Sequence, residues 1–106
     1  MASRNKKKLL RIILGNLSNA ILHEILAEST QNELREYYSK ESVISLEVAL
    51  RYRQKLSYDF TFSNNLKSIL VKIVKNKLNQ RINLGYKNLD LNKVEIHVNF
   101  FLKKIK

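Results

Sequence analysis

The residue types that most often carry catalysis are scarce in this chain of 106 residues. The two histidines, His23 and His97, lie far apart without the spacing of a metal pair, so we expect both at the surface. Nothing in the sequence pairs Asp59 or Asp90 with a glutamate for acid–base chemistry. With no cysteine and only two glycines, thiol catalysis, disulfides, zinc fingers, a P-loop and a dinucleotide fingerprint are excluded. The sequence therefore predicts a protein that is not an enzyme and uses no metal or cofactor.

The positive charge is the strongest feature of the composition. Twenty Lys and Arg residues against nine Asp and Glu residues give a net charge of +11. Such an excess attracts polyanions, which are RNA, DNA or an anionic membrane surface. A second explanation stays open, because abundant lysine, asparagine and isoleucine are also typical of an AT-rich genome, which enriches lysine without giving each one a ligand.

The basic residues fall into three main clusters, at the N-terminus, near residues 51–55 and between residues 67 and 81, with a smaller one at Lys103, Lys104 and Lys106. Lys72, Lys75 and Lys77 are expected to form a stripe suited to phosphates if their helix turns its polar face to solvent. The predicted polyanion contacts are Lys6, Lys7, Lys8, Arg11, Arg51, Arg53, Lys67, Lys72, Lys75, Lys77 and Arg81.

Two amphipathic helices are predicted. From about Lys8 to Glu28, and again from Asn65 to about Arg81, large apolar residues recur every three or four positions. Gly15 interrupts the first pattern at a cost of about 1 kcal/mol relative to Ala, so that helix either tolerates it or begins near Asn16. Residues 1–8 are expected to form a basic arm that leads into the first helix.

Between these helices the pattern is less regular. Thr30 and Glu33 have capping-box spacing, so residues 29–42 are either a loop or contain a short helix over Asn32–Ser39. Apolar and polar residues then alternate over 44–52 and over 56–62, which predicts two half-buried strands. The link over residues 53–55 lacks the chemistry of a tight hairpin, and a helix over 42–53 therefore remains an alternative.

A third strand is predicted over 94–100, where Val94, Ile96, Val98 and Phe100 alternate with polar residues. The predicted order is helix, strand, strand, helix, strand. This order favours an α+β fold, a two-layer sandwich with the helices on one face of a three-stranded sheet. We expect one such domain over residues 9–106.

Two RNA-binding modules can be tested against this pattern. Gly15 and Gly85 stand alone, so the Gly-x-x-Gly loop with which KH domains clamp RNA is absent. Tyr58, Phe60 and Phe62 fall on the presumed core side of their strand, so they do not match the exposed stacking aromatics of an RRM. Binding through charge and shape is the expectation that remains.

The C-terminal half resembles the alkaline shock protein family of small cytosolic envelope-stress proteins. The resemblance rests on the stretch Asn88-Leu89-Asp90-Leu91-Asn92-Lys93-Val94-Glu95-Ile96-His97-Val98, which is similar to the family's final V-x-V-H-V strand after an amphipathic helix. It implies a non-enzymatic protein that assembles or docks through a partner, and no functional residue transfers with it. The first half of the chain does not match, and the family is often acidic.

Three hypotheses about partners follow. The leading one is a nucleic-acid- or ribosome-associated accessory factor that contacts the phosphates of RNA or DNA. The alternative is an alkaline-shock-type adaptor or scaffold that binds a protein partner or itself. Docking of the basic arm and the Phe100–Lys106 tail onto anionic lipid is the third. The apolar run over Leu9–Leu14 is far shorter than the ~20 residues of a membrane span, so a cytoplasmic protein without a transmembrane segment is expected.

Overall fold

The computed structural model describes residues 2–30, 33–55, 64–86 and 89–105, with the backbone alone for residues 2–6 and 64–65. These residues form four helices, α1 (Ala2–Ser29), α2 (Glu33–Arg53), α3 (Asn64–Asn83) and α4 (Lys93–Ile105). Within these ranges the chain contains no strand. The predicted α+β sandwich is therefore wrong, and the fold is all-α.

Helix α1 is the centre of the fold, because each of the other three helices contacts it. Ile13, Leu17, Ile21 and Ile25 are fully buried along one line of the helix, which is the spacing that predicted it. The helix begins at Ala2 and continues through Gly15 without a break. A long apolar face therefore outweighs the low helix propensity of one glycine.

Helices α1 and α2 form an antiparallel hairpin, the most extensive contact in the fold. The Ser42 hydroxyl donates a hydrogen bond of 2.7 Å to the Ala20 carbonyl. Further towards the loop, the rings of His23 and Tyr38 lie 5.9 Å apart, and at the open end Tyr52 lies beside the first turns of α1. Small residues at the contact let the two backbones approach closely.

The predicted strand over 44–52 is part of α2, so the helical alternative for residues 42–53 is the correct one. The buried residues of this helix are Tyr38, Ser42 and Ala49, which share one helical face. Ile44, counted as core in the strand, is half exposed. The prediction failed because Ser42 and Ala49, which are buried on this face, are small and add little to the hydrophobic pattern.

The predicted strand over 94–100 is also helical and belongs to α4. The buried residues repeat at helical spacing and are Val94, Val98, Phe101, Leu102 and Ile105. Alternation over 94–100 predicted a strand because β-branched residues favour strands, but packing against neighbouring helices overrides that preference. The second predicted strand, over 56–62, lies outside the described residues together with Asp59.

Helix α3 confirms its prediction, with Leu70, Val74 and Leu78 fully buried in one row. The turn after the helix contains Gly85, which has a φ of 102°. The Gly85 amide donates to the Ile82 carbonyl at 3.0 Å and the Tyr86 amide to the Arg81 carbonyl at 3.1 Å, the two bonds of a Schellman motif. This turn brings Tyr86 back beside Arg81.

One helix among the described residues, Lys7–Ser29, is long and apolar enough to cross a membrane by length and composition alone. Nearly half of its most apolar stretch is buried inside the fold. This stretch is longer than the apolar run over Leu9–Leu14 that was considered from the sequence. Core helices of soluble proteins and N-terminal signal sequences have the same properties, so this is weak evidence for a membrane span.

Candidate nucleic-acid interface

A basic groove runs along the solvent side of α3. It is open, has a volume of about 600 Å³ and is bordered on the α4 side by Glu95. Its remaining lining residues are all on α3 and are Lys67, Ser68, Val71, Lys72, Lys75, Asn76 and Asn79. The stripe from Ser68 to Asn79 extends about 16 Å at the rise of an α-helix. We call this surface the α3 groove.

The α3 groove has a positive potential because helix α3 contains no acidic residue. Lys67 forms an ion pair with Glu95 at 3.7 Å, and both side chains are partly exposed, so the pair contributes little stability. Lys72 and Lys75 are exposed. The amide groups of Asn76 and Asn79 add donors for phosphate oxygens beside these ammonium groups.

Lys77 does not belong to this stripe, although the sequence grouped it with Lys72 and Lys75. Its ammonium group donates hydrogen bonds to the Ser18 hydroxyl at 3.0 Å and to the Asn19 side-chain oxygen at 2.7 Å. Burial lowers the pKa of Lys77. A serine beside a lysine resembles an activated nucleophile, but Ser18 is fully buried, so a substrate cannot reach it. Lys77 instead connects α3 to α1.

Arg81 also lies away from the α3 groove, in a tyrosine cluster between α3 and α2. It donates a hydrogen bond of 3.3 Å to the Tyr86 hydroxyl, and its guanidinium lies 5.4 Å from the centre of that ring. The hydrogen bond between Tyr38 and Tyr86 raises the pKa of Tyr38 and lowers the pKa of Tyr86. Arg81 therefore stabilises the turn after α3.

The antiparallel hairpin joins two basic clusters that are far apart in the sequence. Lys7, Lys8 and Arg11 are exposed on the first turns of α1, and the last turn of α2 adds Arg51 and Arg53, of which Arg51 is exposed and Arg53 half-buried. We call this surface the basic end of the hairpin.

Tyr52 contacts basic residues at the basic end. Lys8 and Tyr52 border a small groove there, of about 330 Å³, and the Lys55 ammonium lies 4.6 Å from the centre of the Tyr52 ring. The Lys6 side chain, a predicted contact, lies outside the described side chains.

Charge is segregated along the hairpin. Residues 2–11 and 51–55 contain no acidic residue, whereas Glu24, Glu28, Glu33 and Glu36 lie near the loop that joins the helices. In α1 this order opposes the helix dipole, which favours acidic residues at the N-terminus and basic ones at the C-terminus. The arrangement of α1 therefore costs helix stability and concentrates positive charge at one end of the molecule.

The two histidines have structural partners. His97 Nε2 lies 2.6 Å from the Glu28 carboxylate and connects α4 to the end of α1, while His23 Nδ1 lies 2.7 Å from the Asn19 carbonyl. In the part of the chain that the structure describes, no group of three or more His, Cys, Asp or Glu side chains is placed to hold a metal ion.

Fold and surface together define an all-α protein with four helices in its described ranges and a lysine-lined groove on α3. No family model, curated protein or solved structure matches the chain. The stretch that resembles the alkaline shock family depends on a final strand, and Val94–Val98 is helical here. That resemblance therefore adds no support for a function.

Proposed function

We propose that this chain is a nucleic-acid-binding accessory protein, without enzymatic activity, that contacts the phosphates of RNA or DNA, free or in a ribosome. Lys72 and Lys75 of the α3 groove are the main contacts. Lys67 assists them when nucleic acid displaces its ion pair with Glu95. The basic end of the hairpin is a second contact.

The observation that carries this proposal is the distribution of charge. Genome composition enriches lysine throughout a chain and does not sort it by position. Here α3 contains five basic and no acidic residues, and α1 has its basic residues at the end where the helix dipole disfavours them. A polyanion explains both features, since it interacts with the summed potential of a surface.

The chemistry of the α3 groove favours backbone contacts over base recognition. Its described lining consists of lysine, serine, asparagine, valine and one glutamate, without an aromatic ring on which a base could stack. Ammonium and amide groups bind phosphate oxygens but do not identify a sequence. We therefore expect similar affinity for unrelated sequences of the same length.

The test is fluorescence anisotropy with labelled RNA and DNA of mixed sequence, at about 50 and about 200 mM salt. If roughly six phosphates are contacted on a duplex, affinity should fall about a thousandfold between these conditions. The double variant Lys72→Glu, Lys75→Glu should weaken binding and reduce the salt slope by about two.

The matched control is Arg35→Glu with Lys103→Glu, which changes the net charge equally at exposed residues outside the α3 groove. It should weaken binding much less. If both double variants weaken binding equally, the α3 groove is not the site. If the unmodified protein does not bind at the lower salt concentration, the proposal is wrong.

A protein-binding adaptor is the second candidate. It is favoured by Ile96 and Phe100, which are more than half exposed and lie one turn apart on α4, so that they form an apolar patch for a partner to cover. Absence of nucleic-acid binding at low salt would leave this candidate as the better one.

A further inference from the structure

We propose that α2 joins a second copy of this chain through an antiparallel two-helix contact. This inference goes beyond nucleic-acid binding and does not depend on it. It starts from a row of residues beside the face of α2 that packs on α1, spaced alternately three and four positions apart. The row, which we call the α2 seam, is Leu34, Tyr37, Glu41, Ile44, Val48 and Arg51.

The α2 seam has the spacing of the a and d positions of a coiled coil. Leu34, Tyr37 and Ile44 are all more than half exposed, and Glu41 and Val48 are half-buried. No helix in the described parts of the chain covers this row. Three large apolar side chains of this row are therefore uncovered. Exposed neighbouring apolar side chains mark interaction sites, so a partner helix is expected.

A second copy fits because the α2 seam is self-complementary. When two α2 helices run antiparallel around a two-fold axis, Tyr37 of each copy lies opposite Val48 of the other. Leu34 then lies opposite Arg51, whose aliphatic stem covers it. Glu41 lies opposite Ile44 near the axis, which is the weakest layer of the contact. Each layer occurs twice, as a two-fold interface requires.

Charge complementarity selects the same register. Lys40 and Glu47 are exposed beside the α2 seam on the side away from α1. In this register each Lys40 faces Glu47 of the other copy, which gives two interhelical ion pairs at positions that set orientation in coiled coils. The acidic first turn of α2 also lies beside the basic last turn of the second copy. An unrelated partner would not require this symmetry.

One helix from each copy buries less surface than the roughly 800 Å² per partner of a stable interface. We therefore expect a weak dimer, with a dissociation constant of about 10–100 µM. Sedimentation velocity of the full chain without nucleic acid, over a roughly hundredfold range of concentration, should show monomer giving way to dimer.

The decisive pair of variants is Ile44→Asp and Val43→Asp. These neighbouring residues are 52% and 55% exposed, but only Ile44 is in the α2 seam. Ile44→Asp should weaken the dimer at least about tenfold, and Val43→Asp should change it less than about twofold. Circular dichroism checks that both remain helical. Equal effects of the two variants would overturn the proposal.

Two further variants make the test independent of loss of folding. Glu41→Leu replaces the charged layer with an apolar one and should tighten the dimer about tenfold. Lys40→Glu should weaken it, and adding Glu47→Lys should restore it by reversing both ion pairs. A chain that stays monomeric up to about 1 mM, or a Glu41→Leu variant that dimerises no better than the parent, contradicts the proposal.

Discussion

The α1–α2 hairpin and the α3–α4 half of the molecule are held together differently. In the hairpin, small buried residues such as Ala20, Ser42 and Ala49 let the helices contact each other along their length. Helix α3 contributes one buried row, from Leu70 to Leu78, and touches α1 over a shorter contact. The two helices of the hairpin are therefore the most closely packed pair in the fold.

Helices α1 and α3 differ in how much of their surface is buried, which shows how a small chain provides both a core and a charged surface. Helix α1 is buried along most of its length, and its exposed basic residues are confined to its first turns. A helix that buries a single row, such as α3, has most of its circumference available, and Lys72 and Lys75 occupy it without a cost to the core. The main proposed contacts thus lie on the helix that buries a single row of side chains.

The largest expected effect comes from matched truncations in the two halves. Leu26 of α1 is fully buried and Leu102 of α4 is 6% exposed. Leu26→Ala should lower the free energy of unfolding by about 4 kcal/mol and Leu102→Ala by about 2 kcal/mol. Urea unfolding followed by circular dichroism measures both values. Equal costs would show that the hairpin is not the more tightly packed half.

How well each helix could be predicted depends on which residues it buries. Helix α3 buries large apolar residues at helical spacing, so its sequence identified it. Helix α2 buries Ser42 and Ala49, whose small side chains carry no hydrophobic signal. Helix α4 could have been predicted if the pattern had been followed past residue 100. Its buried residues recur three or four positions apart, at Val94, Val98, Phe101 and Ile105.

Site residues whose exposure depends only on the face of their own helix could be predicted from the sequence. Those whose position depends on contacts between helices could not. Lys72 and Lys75 are exposed, as expected for the polar face of α3. Lys77 is turned away by Ser18 and Asn19, which are close only after α3 packs on α1. The meeting of the two basic clusters could not be predicted, since the sequence assigned Arg51 to a strand and Arg53 to the link after it.

Replacing each of the two glycines with alanine should change the stability of the protein in opposite directions. An added Cβ at Gly15 meets no atom within 4 Å, so Gly15→Ala should stabilise the hairpin by up to about 1 kcal/mol through helix propensity. Gly85 has a φ of 102°, so Gly85→Ala should destabilise the end of α3 by about 1 kcal/mol. Thermal unfolding of both variants checks the signs. A loss of stability from Gly15→Ala would contradict the open surroundings of this glycine.

The smallest expected effect concerns Lys77, which connects the two halves. Because burial lowers its pKa in the folded state, the unfolded chain binds more protons between the lowered value and the ordinary lysine value of 10.5. This lysine therefore makes the free energy of unfolding rise as the pH increases through that interval.

Lys77→Met removes this contribution, so the stability of the unmodified protein relative to the variant should increase towards pH 10.5. The pKa of Tyr38 is raised and that of Tyr86 is lowered by their mutual hydrogen bond, but both tyrosines are present in both proteins and largely cancel in the difference. A difference in stability that does not change with pH would mean that Lys77 is solvated as fully as Lys72 and Lys75, and that the contrast within α3 is wrong.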